Sequence, residues 1–498
     1  MHRPRSDPTS TGHTSPDTTG PRRRAWAVWC CGAALLAGCA TPLPSERSDA
    51  APPIAVPGSW AVRPAGHADA DSAPIDGAAL ARWWRSFDDP LLGELVERAL
   101  AANTDLQLAR SRVIQARALR DVSAAAASPN LDLSGSVGTS QSGRGSSALR
   151  SNSWRAGLDA SWEIDVWGRL GAGTRAAELD LATSRADRAT TEAGVAAEVG
   201  LAYVQLRGSQ RQLRIARDNL AALEQTAQLT QWRAQAGLVS SLDAEQARAS
   251  TAQQRASIGP LQNSVVQAEH RIAVLLGQPP GTLRALLGSA DERITPPIPL
   301  AAPMPAGVPA QVLRQRPDVR AAELAIDAES QRLAASRAAG RPSFAISGTL
   351  ALQAATLGAL GNPAATLATL GAAVNWPLFD GGARAAQIQA QQAVQAQAQI
   401  RYQAAVLTAL EDVENALADQ IYTQSRLAAY EAGVASARNA LLLARQRYQA
   451  GLVDFSTLLE AQRTALSLDN GLVAAQTDLS LGRIRLNKAL GGGWAEEE

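Results

Sequence analysis

The chain is written twice, and the length of the repeated unit limits what it can fold into more than any other feature. Asp105-Leu106 is echoed by Asp318-Val319, each opening an alanine-rich helical run, and Pro129, which ends the first run, is answered by Pro342, which ends the second. Trp162 returns as Trp376, and Ala236-Gly237-Leu238-Val239 returns as Ala450-Gly451-Leu452-Val453, in the same order and at one common offset. Solenoids repeat every 20 to 50 residues or so, so this period, several times longer, reads as the duplication of one large unit. Each copy predicts a helix of about 35 to 45 residues, two short strands, a very long helix, a tight turn at Gly237 or Gly451, and a return helix. The copies occupy 76–278 and 318–490, joined by a proline-rich link at 279–317.

No proline occurs between Asn130 and Gly259 or after Pro377. Proline in a helix interior costs about 3 kcal/mol, so both stretches are free to be helical. Leu206, Leu213 and Leu220, and again Val406, Leu410, Val413 and Leu417, repeat near the 3.5-residue spacing of a coiled-coil seam. A helix from Gly171 to Ala236 would be about 100 Å long at 1.5 Å per residue. Pro260 predicts a kink in the return helix at Gly259. From the helices alone, a structural or adhesin coiled coil reads as well as a conduit.

The strands narrow that choice. Trp154, Ala156, Leu158, Ala160, Trp162, Ile164 and Val166 alternate with Arg155, Asp159, Ser161, Glu163 and Asp165. The same period of two runs through Leu131, Leu133 and Val137, through Phe344, Ile346, Leu350 and Leu352, and through Leu370, Ala372, Val374 and Trp376. These are two hairpins, 131–166 and 343–378, with one apolar and one polar face. Lipid cannot satisfy an open sheet edge, so strands that enter a membrane must close into a barrel. Barrels begin at about 8 strands, and this chain supplies four. A membrane barrel must therefore be shared between chains; the alternative is a small soluble sheet packed on the helices. Trp154, Trp162, Trp167 and Trp376 suit the membrane interface.

Arg22, Arg23 and Arg24 precede an apolar run from Ala25 to Ala37, the pattern of a secretory signal peptide over 1–38. It ends Leu36-Ala37-Gly38-Cys39, a bacterial lipobox pattern that makes Cys39 the expected acylated residue, followed by a Pro/Ala-rich tether over 39–75. Ala40, rather than Asp, follows the cysteine and favours the outer membrane. All three cysteines lie within the first 39 residues and the four histidines are scattered, so no metal site is expected. Net charge is +1 with the two signs interspersed, unlike the one-sided footprint of a nucleic-acid binder. No nucleophile with a paired base and no phosphate loop appears, and no catalytic or cofactor-binding residue is expected. Residues 491–498, beginning Gly491-Gly492-Gly493, read as a frayed, disordered tail.

Four further segments fall in order along the duplicated chain: Trp162-Glu163-Ile164-Asp165-Val166-Trp167-Gly168-Arg169, Arg316-Pro317-Asp318-Val319-Arg320-Ala321-Ala322-Glu323, Trp376-Pro377-Leu378-Phe379-Asp380-Gly381-Gly382, and Tyr448-Gln449-Ala450-Gly451. In these the chain resembles the TolC-type outer-membrane efflux proteins, in particular the NodT/OprM-like lipoprotein branch that serves resistance-nodulation-division (RND) pumps. The resemblance implies a homotrimer in which each chain gives four strands to a 12-stranded barrel, and in which the helices form a long periplasmic tunnel. It also implies a periplasmic adaptor (membrane fusion) protein and an inner-membrane RND transporter as partners, with the chain a passive duct in the outer membrane. Within the family, a type I protein-secretion duct is the alternative cargo route.

The resemblance further places the turns Gly237 and Gly451 at the periplasmic tip and a constriction-lining acidic residue at Glu460. Asp454 lies between the second turn and Glu460, and Asp243 follows the first turn comparably. Three copies of a carboxylate around a narrow pore would attract cations. Arg447 and Tyr448 are expected to hold the closed state through bonds to a neighbouring helix. The same charges read equally as a solvated helix face, with Gly451 a helix C-cap.

Overall fold

The structure is a computed structural model that describes residues 55–62, 77–143, 149–288 and 309–495. The signal peptide, Cys39, most of the tether and residues 289–308 of the link lie outside the described residues. The chain opens with α1 (Gly77–Ala81), a 3-10 turn (Trp83–Phe87), α2 (Pro90–Ala102) and α3 (Thr104–Ala125). Strands β1 (Asn130–Ser142) and β2 (Leu149–Ile164) follow, then α4 (Arg169–Gln235) and its return partner α5 (Ser241–Leu275). After the short α6 (Arg284–Leu287), the second copy runs α7 (Pro309–Gln315), α8 (Pro317–Ala338), β3 (Ser343–Ala354), β4 (Thr366–Asn375), α9 (Ala383–Gln449) and α10 (Phe455–Ala489).

The duplication survives in element lengths: α3 and α8 have 22 residues each, α4 and α9 have 67 each, and α5 and α10 have 35 each. The leading helix is shorter than the expected length of about 35 to 45 residues in both copies: α3 and α8 begin at Thr104 and Pro317, beside the openings at Asp105 and Asp318, and the separate helices α2 and α7 precede them. In the first, Asn103 turns out of the helix (φ −61, ψ 135) and its side chain accepts from the Asp105 and Leu106 amides, so it both ends α2 and caps α3. In the second, Arg316 precedes Pro317, whose ring excludes the helical conformation from the residue before it (φ −77, ψ 120). Pro260 does not interrupt α5, which continues through it to Leu275.

The four strands form one antiparallel sheet in the order β1-β2-β3-β4, so the central β2–β3 pairing joins the two copies and β1 and β4 are the edges. Paired residues share a face. One face carries Leu131, Leu133, Val137, Leu158, Leu350, Leu370 and Val374, and nothing among the described residues covers it: Leu133 is 82% and Leu370 84% exposed.

Alongside the sheet, α4 packs on α5, α8 and α10, and α9 packs on α8 and α10. Close approach depends on residues that lack bulk. A Cβ on Gly208 of α4 would stand 2.6 Å from Thr477 of α10, and one on Gly471 would stand 2.2 Å from the Tyr430 ring. Below the sheet, Trp83, Trp84 and Phe87 meet edge to face and bury against Leu92, Leu95, Leu206 and Ile272. A second cluster gathers Trp60, Leu80, Val312, Val413, Leu417 and Leu486. Trp60 is held there because the Ala61 and Val62 amides donate to the Glu414 carboxylate at 2.7 and 3.1 Å.

The Gly491-Gly492-Gly493 run, expected at a frayed end, is buried instead. The Gly493 amide donates to the Leu80 carbonyl at 3.1 Å, and a Cβ on Gly492 would lie 2.7 Å from that oxygen. Glycine is therefore required by close approach of backbones, and residues 496–498 alone of the tail lie outside the described residues.

Candidate functional site

Two regions concentrate polar chemistry: the inner face of the sheet and the turn end of the long helices. On the sheet, Asp159 accepts from Ser134 at 2.5 Å, Thr349 at 2.7 Å and Arg155 at 2.8 Å, which ties β1, β2 and β3 together across the polar face. A buried or lipid-facing carboxylate would need such partners, and their polar character suits a water-filled interior. Trp154 and Trp162 stand on the opposite face, eight residues apart on β2, about 26 Å along a strand at 3.3 Å per residue. With strands tilted by about 35 to 45°, that length spans roughly 20 Å of height, within an apolar band about 25 Å tall. Among the described residues, no helix is long and apolar enough to cross a membrane.

Where sheet meets helix, Asp165 accepts the Gly171 amide at 2.7 Å and Asp380 accepts the Gly382 and Arg384 amides at 3.0 Å, capping the first turns of α4 and α9. Arg169 donates to both Glu163 oxygens at 2.8 Å. The Trp167 indole donates to the Pro342 carbonyl at 2.7 Å, with the Arg341 guanidinium 4.9 Å above its ring. Farther along, Arg316 is buried and joins Asp318 (2.7 Å), Asp412 (3.0 Å) and the Ala489 carbonyl (3.1 Å), so one side chain binds α8, α9 and the end of α10. Burial alone would raise the Asp318 carboxyl, but the hydrogen bonds and charge of Arg316 hold it below the ordinary range.

At the far end, Gly237 (φ 72) and Gly451 (φ 75) adopt the left-handed conformation that ends a helix. The Leu238 and Leu452 amides donate to the Arg233 and Arg447 carbonyls, each at 2.8 Å. The returning helices are capped by one motif with its partners exchanged. Ser240 caps α5 with Asp243 reaching back, whereas Asp454 caps α10 by accepting from the Thr457 amide (2.9 Å) and from the Thr457 and Ser456 hydroxyls. The hydrogen bonds from Thr457 hold the Asp454 carboxyl below its ordinary value. The carboxylates of Asp243 and Asp454 are thus occupied in capping.

Tyr448 is buried between the copies: its hydroxyl lies 3.1 Å from that of Thr230 on α4, and its ring meets Phe455 edge to face. Arg233 lies 5.1 Å over the same ring and donates to the Tyr448 and Gln449 carbonyls at 3.0 and 2.8 Å, closing the C-terminus of α9. Arg447 is exposed, and no partner for its side chain occurs among the described residues. Glu460 is also exposed, in a groove between α9 and α10 lined by Ala437, Ala440, Ser456, Thr457, Ala461 and Thr464. Thr230, Arg233 and Ser240 were not singled out from the sequence. One signal pointed at Arg233: it holds the place in the first copy that Arg447 holds in the second.

The profile of the family described as "Outer membrane efflux protein" matches residues 95–278 and 308–492. The chain is 31% identical over 476 residues to the pyoverdine export outer membrane protein OpmQ of Pseudomonas aeruginosa, covering 93% of this chain and 96% of the relative. It is 28% identical to the cation efflux system protein CusC of Escherichia coli, covering 94% and 98%. Among solved structures, the outer-membrane channel OprN superposes with a TM-score of 0.80 at 33% identity, covering 89% of this chain and 99% of that one. The open-state outer membrane channel MtrE of Neisseria gonorrhoeae superposes at 0.75 with 26% identity, covering 88% and 97%.

Proposed function

Because the chain belongs to the outer membrane efflux protein family, we propose that three copies of it close one barrel in the outer membrane and extend a helical tunnel from it. The chain is an outer-membrane efflux channel of a tripartite pump. The observation that carries the shared barrel is the four-stranded sheet with two open edges and an uncovered apolar face. Two copies would supply about eight strands, whose interior side chains fill; three leave room for a conduit.

In this reading a periplasmic adaptor and an inner-membrane RND transporter complete the pump, and the chain itself is passive. The relatives' names attach pyoverdine and cations to ducts of this family. Unlike cargoes through similar ducts support selection by the transporter, with drugs or other small toxic compounds as cargo here. Cys39 carries the lipid anchor, and Cys39→Ser is expected to abolish incorporation of labelled palmitate. Glu460, whose carboxylate is free of partners among the described residues, is the acidic residue most available to line a constriction at the tip.

The test is the heat-modifiable mass of the detergent-extracted protein together with its planar-bilayer conductance. A pore-forming trimer is expected; a non-conducting monomer would favour a coiled-coil scaffold. Glu460→Lys is expected to shift the channel away from cation selectivity or raise its conductance, and an unchanged channel would remove Glu460 from the constriction.

A further inference from the structure

We infer that the lipid-side face of the β1–β2 hairpin, just above Trp154, binds the anionic sugar-phosphate headgroup of an outer-leaflet glycolipid, with Arg150 holding a phosphate. This rests on the shared barrel proposed above, with the strand tips on the extracellular side, and adds a ligand to its rim. The two hairpins differ in height. β1 and β2 pair in one continuous register from Asn130 opposite Ser161 to Ser142 opposite Leu149, whereas β2 pairs with β3 only as far as Trp154 opposite Ala354. Residues 149–153 therefore carry the first hairpin past the end of β3. The second turns back near the level of Trp154, through 3-10 turns at Leu357–Ala359 and Pro363–Ala365.

Because no residue is inserted into the β1–β2 pairing, each face can be followed to the tip. The apolar face climbs through the pairs Leu133–Leu158, Gly135–Ala156 and Val137–Trp154, and then becomes Thr139–Asn152 and Gln141–Arg150. Its chemistry changes within one step, from hydrocarbon to hydroxyl, amide and guanidinium. Trp162 and Trp154 take up roughly 20 Å of an apolar band about 25 Å tall, so the band ends within about 5 Å of Trp154. Arg150 stands four residues farther on, about 13 Å along the strand and about 10 Å in height. The headgroup layer beyond the hydrocarbon is roughly 5 to 8 Å deep, which puts Arg150 in it or within a side chain's length of it.

A polar tip suits plain water as well as a headgroup, and charge separates the two. No acidic residue occurs from Leu133 to Leu158, and no charged residue of either sign from Ser343 to Phe379. Arg155 lies on the opposite face, paired with Asp159 at 2.8 Å. Arg150 is exposed and has no partner among the described residues. The rim therefore carries an uncompensated cation on its lipid side. A guanidinium offers a phosphate two parallel N–H donors. Beside it, the Thr139 hydroxyl donates to the Asn152 side-chain oxygen at 2.9 Å, which leaves the Asn152 amide nitrogen, with Gln141, to meet sugar hydroxyls. A zwitterionic phospholipid brings its own cation to its phosphate, whereas a phosphorylated sugar leaves that place to the protein.

The test titrates the full detergent-extracted chain with bisphosphorylated lipid A and, separately, with phosphatidylglycerol, and counts bound lipid by native mass spectrometry. Lipid A is expected to bind about fivefold more weakly to Arg150→Gln than to the parent, the scale of one arginine near an anionic surface. Phosphatidylglycerol is expected to show no such difference, and inorganic phosphate not to displace lipid A. Adding Ser151→Arg to Arg150→Gln returns the charge to the rim on the opposite face and should not restore binding. Equal lipid A binding by the parent and Arg150→Gln overturns the inference, as does recovery with Ser151→Arg. Equal dependence on Arg150 for phosphatidylglycerol, or displacement by inorganic phosphate, overturns it in favour of unspecific anion attraction. Conductance is recorded for each variant. A conducting parent with any of these results leaves the shared barrel standing, whereas a non-conducting monomeric parent overturns the barrel and the inference with it.

Discussion

Replacing Arg233 by alanine removes two donors from the carbonyls that end α9 and a cation from the face of Tyr448. A hydrogen bond from a charged group contributes about 1.5 to 3 kcal/mol when well sheltered. Arg233 is only part-buried, and water replaces some of what is lost, so about 1 kcal/mol for each bond is the appropriate scale. The cation over the ring adds about 0.5 to 1 kcal/mol at such a site. The joint between the ends of α4 and α9 thus loses about 2 to 3 kcal/mol per subunit, or roughly 30- to 150-fold in the equilibrium that separates them. Tyr448→Phe removes only the bond to Thr230, about 0.5 to 1.5 kcal/mol, and keeps the packing on Phe455. Any widening of the tip that separates α4 from α9 must break this joint. Single-channel recording should therefore show a higher open fraction for Arg233→Ala than for Tyr448→Phe, and for both above the parent. Equal open fractions in all three would mean that α4 and α9 move as one body and that the tip opens elsewhere.

Gly492→Ala drives a methyl against the Leu80 and Asn487 carbonyls; it is expected to cost about 1 to 3 kcal/mol and lower the temperature at which the assembled protein dissociates. Gly259→Ala, with open space around it, should leave that temperature unchanged or raise it, and similar losses from both would refute the packing argument. The Asp454 carboxyl titrates below its ordinary value because Thr457 and Ser456 hydrogen-bond its charged form. The stability of that cap is full above the ordinary value and is lost as pH falls through the lower folded one. Amide protection at Thr457 should fall over that acid range in the parent and not in Asp454→Asn; the same fall in both would clear Asp454 of the effect. Leu133→Arg lies at a side chain that is 82% exposed among the described residues but should cost about 2 to 4 kcal/mol if the face meets lipid at mid-depth. Insertion into vesicles measures it, and an undiminished yield would argue for a soluble sheet.

The architecture was legible in the sequence wherever it rests on a period. The recurrence of Trp162 as Trp376 and of Gly237 as Gly451 gave away the duplication, and elements of matching length follow. Alternation along 154–166 marked a two-faced strand because side chains in a strand point to opposite sides in turn. Four such strands, too few to close a barrel alone, already required other chains if they enter a membrane. The breaks at Asn103 and Arg316 were also local, since an asparagine cap and a residue before proline act on their own backbone. The openings at Asp105 and Asp318 were read beside both breaks, but the separate helices α2 and α7 before them were not.

What the tertiary structure decided is which segments meet. Tyr448 was a candidate from its place beside a turn, but its partners Thr230 and Arg233 lie 218 and 215 residues away in sequence, and only the antiparallel packing of two long helix pairs brings them together. Asp243 and Asp454 were read equally as charges facing a pore or as a solvated helix face, and the structure adds that their carboxylates cap helix starts three residues or fewer away, where amides need partners. The three glycines at 491–493 carry no side chain whose pattern could announce burial. Their meaning lies in the backbone that approaches them, Leu80 and Ala193 of the first copy. Periodic order is a property of neighbours along the chain and can be read there. Contact between distant segments depends on their folding against each other, and no local pattern records it.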